Sequence, residues 1–111
     1  MDKLELYKQI AQKIVAEHAQ YAAKREGIET LTLCDHSSGN YLLMRVGWHN
    51  LERTHSIIFH LHIRDEKIWI EQDGIEYGIA QDLIDAGVPK EDIVLAFYDP
   101  KTRQLTDFAV A

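Results

Sequence analysis

Lys67-Ile68-Trp69-Ile70-Glu71-Gln72-Asp73-Gly74-Ile75-Glu76-Tyr77-Gly78-Ile79-Ala80 reads as strand, tight turn and helix entry with almost no slack residue. The strand half pairs naturally with the segment before it. A two-residue turn at Asp65-Glu66 sets Arg64 against Lys67, Ile63 against Ile68, His62 against Trp69, Leu61 against Ile70 and His60 against Glu71. Phe59, Leu61, Ile63, Ile68 and Ile70 then share one face, because alternate residues of a strand point the same way. Glu66 fits that turn poorly, since a type I′ turn needs positive φ at both central residues and glycine is the usual choice, so a three- or four-residue loop is the alternative.

Working outward, Ile28–Cys34, Tyr41–Trp48, Thr54–Arg64 and Lys67–Gln72 read as four strands, the first two joined by the polar turn Asp35-His36-Ser37-Ser38-Gly39-Asn40. Residues 2 to about 24 carry Leu4, Tyr7, Ile10, Ile14, His18 and Tyr21 three or four apart, the period of a helix with one buried face. Asp2 and Glu5 approximate a capping box at its start, and Gly27 is placed to end it. A second helix is expected over residues 77–86, burying Ile79, Ala80, Leu83 and Ile84 and closed by Gly87 and Pro89. Ile93–Phe97 reads as a short strand, residues 99–103 as loop, and the apolar Phe108-Ala109-Val110-Ala111 as a docked end. The expected fold is α+β: a long N-terminal helix on an antiparallel sheet, in one domain over residues 1–111.

The chain has 111 residues and a formal charge of −6, from 18 acidic and 12 basic side chains. That balance opposes a phosphate backbone, and the compact basic groups Lys24-Arg25 and Lys101-Thr102-Arg103 lack aromatic neighbours for stacking on bases, so strong direct nucleic-acid binding is not expected. No run of about 18 apolar residues marks a membrane span, and Met1-Asp2-Lys3-Leu4-Glu5 is not a signal sequence, so the expectation is a soluble, cytoplasmic protein. Cys34, the single cysteine, reads as a small buried residue in a strand.

Six histidines invite a metal reading. His60 and His62 project from one face of a strand, and Glu71 is the nearest candidate for a third ligand, ahead of His49 and of His55 on the opposite face. That set defines a metal-dependent hydrolase as the alternative function, against a solvated or interface strand face. Glu71, Asp73 and Glu76 gather carboxylates at the strand-to-helix corner, but Glu71-Gln72-Asp73 lacks the lysine of a restriction-nuclease core, and Glu76 suits the positive end of a helix better than a phosphate. No Gly-x-Ser-x-Gly elbow occurs. Trp69 faces away from Ile68 and Ile70, so it is covered by a second layer such as the N-terminal helix, or it anchors a protein interface with His60, His62, Glu71, Asp73 and Glu76.

The succession Val46-Gly47-Trp48, Lys67-Ile68-Trp69-Ile70, Asp73-Gly74-Ile75-Glu76, Gly78-Ile79-Ala80, Leu83, Gly87-Val88-Pro89, Asp92-Ile93-Val94-Leu95, Pro100, Arg103, Thr106 and Phe108-Ala109-Val110-Ala111 resembles the XisI-like family, named for a controlling factor in excision of the fdxN DNA element. The resemblance spans nearly the whole chain, with Ala96 and Tyr98-Asp99-Pro100 as departures. It implies an accessory role in programmed DNA excision beside an XisH-like factor, and the function expected on that basis is a non-enzymatic one exercised through contact with that partner; the exposed hairpin face is expected to touch either that partner or a second copy of the chain. It implies no catalytic residue, and no metal or cofactor is expected.

Overall fold

The computed structural model describes residues 2–111. Helix α1 is Lys3–Tyr21, followed by strands β1 (Ile28–Asp35), β2 (Asn40–His49), β3 (Glu52–Arg64) and β4 (Lys67–Asp73), helix α2 (Ala80–Asp85), β5 (Ile93–Leu95) and α3 (Pro100–Arg103), with one 3-10 turn at Lys90–Asp92. The strands form a single five-stranded sheet in chain order. Three junctions are antiparallel hairpins, as expected, while β5 adds to β4 in parallel. A parallel neighbour needs a crossover, and α2 lies within it.

Asp2 caps α1, its carboxylate accepting from the Glu5 amide at 2.8 Å. The helix stops at Tyr21 rather than near residue 24, since Ala22 is already extended at φ −63, ψ 136. Tyr7, Ala11, Ile14 and Val15 are its buried residues. That stripe is narrower than the sequence pattern suggested, and the residues expected at its ends, Leu4 and Tyr21, are exposed. The buried stripe packs on Tyr41, Leu43, Phe59, Leu61, Ile63, Ile68 and Ile70, so the shared face expected of the β3–β4 hairpin is the core face. A charged group, Asp92, enters the core margin. Burial alone would raise the Asp92 carboxyl, but the Tyr7 hydroxyl donating to it and Lys3 Nζ at 3.1 Å hold it below the usual carboxylate range.

The β3–β4 turn has two residues despite Glu66: Asp65 and Glu66 sit at φ 53 and φ 60. Both are left-handed, the conformation of a type I′ turn, which fits the twist of the strands. The cost falls on side chains with a Cβ. Glu66→Gly is therefore expected to stabilise the fold by about 0.5–1 kcal/mol, the relief of left-handed strain less the greater backbone entropy of glycine. Urea denaturation of the two proteins measures it, and a loss of stability would contradict this account of the turn.

The register holds from Arg64↔Lys67 to Leu61↔Ile70 and then shifts, so His60 faces Gln72 and Phe59 faces Asp73. The expected pairing of His60 with Glu71 is thus replaced by a bulge. A second irregularity interrupts β2–β3 between Leu43 and Met44. The second helix, Ala80–Asp85, is shorter than the expected 77–86, because Gly78 at φ 90 closes a turn on the Ile75 carbonyl and Ile79 only leads into the helix. Ile79 and Leu83 are buried, with Ala80 and Ile84 packed beside them, as the pattern required. The segment 99–103, expected as loop, instead contains α3: the Asp99 carboxylate accepts from the Lys101 and Thr102 amides and the Thr102 hydroxyl, with Pro100 in the first turn.

Candidate protein interface on the open sheet face

Helix α1 covers one face of the sheet. On the other face, strand alternation and the cross-strand pairs Leu33↔Leu42, Leu31↔Met44, Leu42↔His60 and Asn40↔His62 place Leu31, Leu33, Leu42, Met44, His60 and His62 together. None of these six belongs to the core cluster or the hydrophobic side chains packed against it. Leu33 is 44% exposed, and Leu31, Leu42, Met44, His60 and His62 are half-buried by their neighbours.

The two imidazoles lie side by side, ring centroids 6.4 Å apart at 27°. His60 Nε2 is 2.8 Å from Asn40 Oδ1, and burial pushes the His60 imidazole below its ordinary value, opposed by Glu71 and reinforced by His62. His62 Nδ1 stands 3.8 Å from Glu71 Oε2. The bulge moves Glu71 out of register with His60, and Asn40 engages the ring that would have been the first ligand. Among the described residues no three His, Cys, Asp or Glu side chains are grouped to hold a metal ion, so the hydrolase built on His60, His62 and Glu71 lacks its site.

Trp69, expected either under a second layer or at an interface, is covered. Its indole does point away from Ile68 and Ile70, beside His62, yet it is only 6% exposed. Its cover is not α1 but two arginines of the same chain. Arg64 stacks with its Cζ 3.8 Å from the ring centroid, and Arg103 of α3 stands at 5.6 Å. Arg103 is fixed in turn by donating to the carbonyls of Tyr98, Val110 and Ala96, and the C-terminal segment is tied to β5 by Ala109 N–H to Ile93 O at 2.9 Å. Trp69 is therefore a packing residue roofed by two guanidinium groups.

Asp73 is also occupied within the fold. Its carboxylate accepts from the Ile75 amide at 3.0 Å and the Ile79 amide at 2.9 Å, fastening the corner between β4 and α2. Glu76 remains exposed beyond that corner. Of the six expected interface residues, His60, His62 and Glu71 share the open face, Glu76 lies exposed at the corner, and Trp69 and Asp73 are internal fasteners. Cys34 is exposed on β1 rather than buried, because β1 is an edge strand.

Sequence reading missed a polar clasp between the helices. His18 Nε2 lies 2.5 Å from Asp82 Oδ2, and the Tyr77 hydroxyl donates to both Asp82 oxygens at 2.9 and 2.8 Å. Partial desolvation and then the Asp82 hydrogen bond push the Tyr77 phenol up to about 12, which keeps it a donor. The sequence shows His18 only as part of the helix stripe, and the acid that meets it is distant in sequence. The clasp ties α1 to α2 below the sheet and leaves the open face untouched.

A helix laid on one side of a hairpin-built sheet, with an apolar and imidazole-bearing face left open on the other, defines a small α+β module suited to surface contact. The XisI protein family model matches residues 1–110, and the chain belongs to that family. It is similar to the crystal structure of a XisI-like protein from Anabaena variabilis ATCC 29413, with 34% identity over 97% of this chain and 99% of that one and a TM-score of 0.93. It is also similar to the fdxN element excision controlling factor XisI from the same organism, with 33% identity over 99% and 100% of the two chains and a TM-score of 0.87. No curated protein matches the sequence. Among the described residues no helix is long and apolar enough to cross a membrane.

Proposed function

We propose that this chain is a non-enzymatic controlling factor for excision of a DNA element, working in the cytoplasm through contact with an XisH-like protein. The observation that carries the reading is the open face, where Leu42, Met44, His60 and His62 lie flanked by Glu71 on β4 and by Glu29 and Asp35 on β1. Apolar surface with an aromatic or imidazole centre and a charged rim is the composition of a protein contact. Membership of the XisI family and likeness to a protein named as an excision controlling factor supply the process. The charge of −6 suits a partner with a basic surface, because opposite charge steers encounter and an acidic face can occupy a site built for nucleic acid.

The test is co-purification of the chain with an XisH-like protein encoded beside it, followed by duplex-DNA binding by each component and by the pair. The expected result is a complex that survives gel filtration, with weak DNA binding by this chain alone near physiological salt. Failure to form a complex, or tight DNA binding by the isolated chain, would contradict the proposal.

A further inference from the structure

The two edges of the sheet are treated differently. At the β5 edge the strand has three residues, all buried, and the C-terminal segment lies along it through the Ala109–Ile93 hydrogen bond. At the other edge β1 offers eight residues in unbroken register with β2. Ile28-Glu29-Thr30-Leu31-Thr32-Leu33-Cys34-Asp35 contains no lysine, arginine or proline and no bulge, and of the devices that normally stop an edge from adding a strand only the acids Glu29 and Asp35 remain, both near its ends. Beyond the turn-forming bridge at Arg25↔Ile28, no described residue pairs with its outer side.

The sequence of this edge is complementary to itself. In an antiparallel pairing about a two-fold axis through Thr32, every residue meets one on the same sheet face. Leu31 meets Leu33 twice, Thr30 meets Cys34 twice, and Thr32 meets Thr32. Since Leu31 pairs with Met44 and Leu33 with Leu42 inside each copy, the junction creates two apolar rows, each running Met44, Leu31, then Leu33 and Leu42 of the other copy. The unfavourable pair is Glu29 with Asp35 at either end, exposed and screened by solvent.

We infer that β1 is a homodimerisation edge, joining two copies through Thr32 into one continuous sheet with both open faces on the same side. This goes beyond the partner contact proposed above, which uses the face of the sheet rather than its edge.

Sedimentation velocity over a concentration series is expected to show a dimer for the wild-type chain. Thr32→Lys, an exposed substitution that sets two ammonium groups against each other at the axis, should weaken dimerisation at least about tenfold while circular dichroism stays unchanged. In a Cys34→Ser background, Thr32→Cys should give a covalent dimer on mild oxidation, because directly opposed strand positions fall within disulfide reach. Glu29→Cys in the same background, facing Asp35, should not. A wild-type chain that stays monomeric, a dimer indifferent to Thr32→Lys, or equal cross-linking at positions 29 and 32 would each overturn the assignment.

Discussion

Trp69→Ala is expected to lower the free energy of unfolding by about 3–5 kcal/mol, the usual cost of truncating a large buried aromatic residue. The indole is 6% exposed between β3 and β5 neighbours, and the alanine side chain would leave a void beneath Arg64 and Arg103. Loss of the ring also removes the surface on which Arg103 rests, so the C-terminal segment that Arg103 holds should loosen with it. Trp69→Phe should recover much of the stability, since it refills most of the volume and deletes an indole N–H that has no hydrogen-bond partner among the described residues. Urea denaturation followed by circular dichroism measures both. A loss below about 1 kcal/mol for the alanine variant would mean that Trp69 is not a packing residue.

Gly47→Ala should be comparably damaging, by about 3 kcal/mol or more, for a backbone reason. Gly47 sits at φ 149, and a Cβ there would lie 1.9 Å from the Gly27 carbonyl oxygen. Gly27 has the reciprocal constraint, with φ 82 and a Cβ position 2.1 Å from the Trp48 carbonyl oxygen. The two glycines let the chain entering β1 lie against β2, where the Trp48 amide donates to the Gly27 carbonyl at 2.9 Å. No rotamer can relieve a clash between a Cβ and a carbonyl, so backbone must move. Denaturation of Gly47→Ala, Gly27→Ala and the double variant should show less than additive losses, because the first displacement already opens the contact. Two small, additive effects would refute the close approach.

Much of the fold was legible because it rests on local periodicity. Alternation placed four strands within a few residues of their observed bounds, and the apolar residues of β3 and β4 fixed their relative register from Leu61 outward. Bulges were not legible: nothing in the sequence marks Ile58 or Glu71 as the extra residue of its strand, yet the second shift decides whether Glu71 faces His60. Asp99-Pro100 and Thr102 are cap residues for α3, but a four-residue helix carries too few apolar positions to show a period, so the segment reads as loop. The candidate site was only partly legible. His60, His62 and Glu71 are on the expected face, whereas the roof over Trp69 combines Arg64 with an arginine from the distant α3, and the Asp73 carboxylate is consumed by two backbone amides. Long-range cover and local capping both depend on which segments meet in space, and neither leaves a pattern in neighbouring residues.

The central claim, that the open face contacts a partner, is tested most directly by isothermal titration of an XisH-like protein into the wild-type chain and into Glu71→Lys. Glu71 is half-exposed beside His62, away from the helix-covered core, so charge reversal there should leave the fold intact. The account predicts binding by the wild type, weakened by at least about 2 kcal/mol in the variant, with the difference shrinking as salt is raised. Equal affinity for the two folded proteins would contradict it.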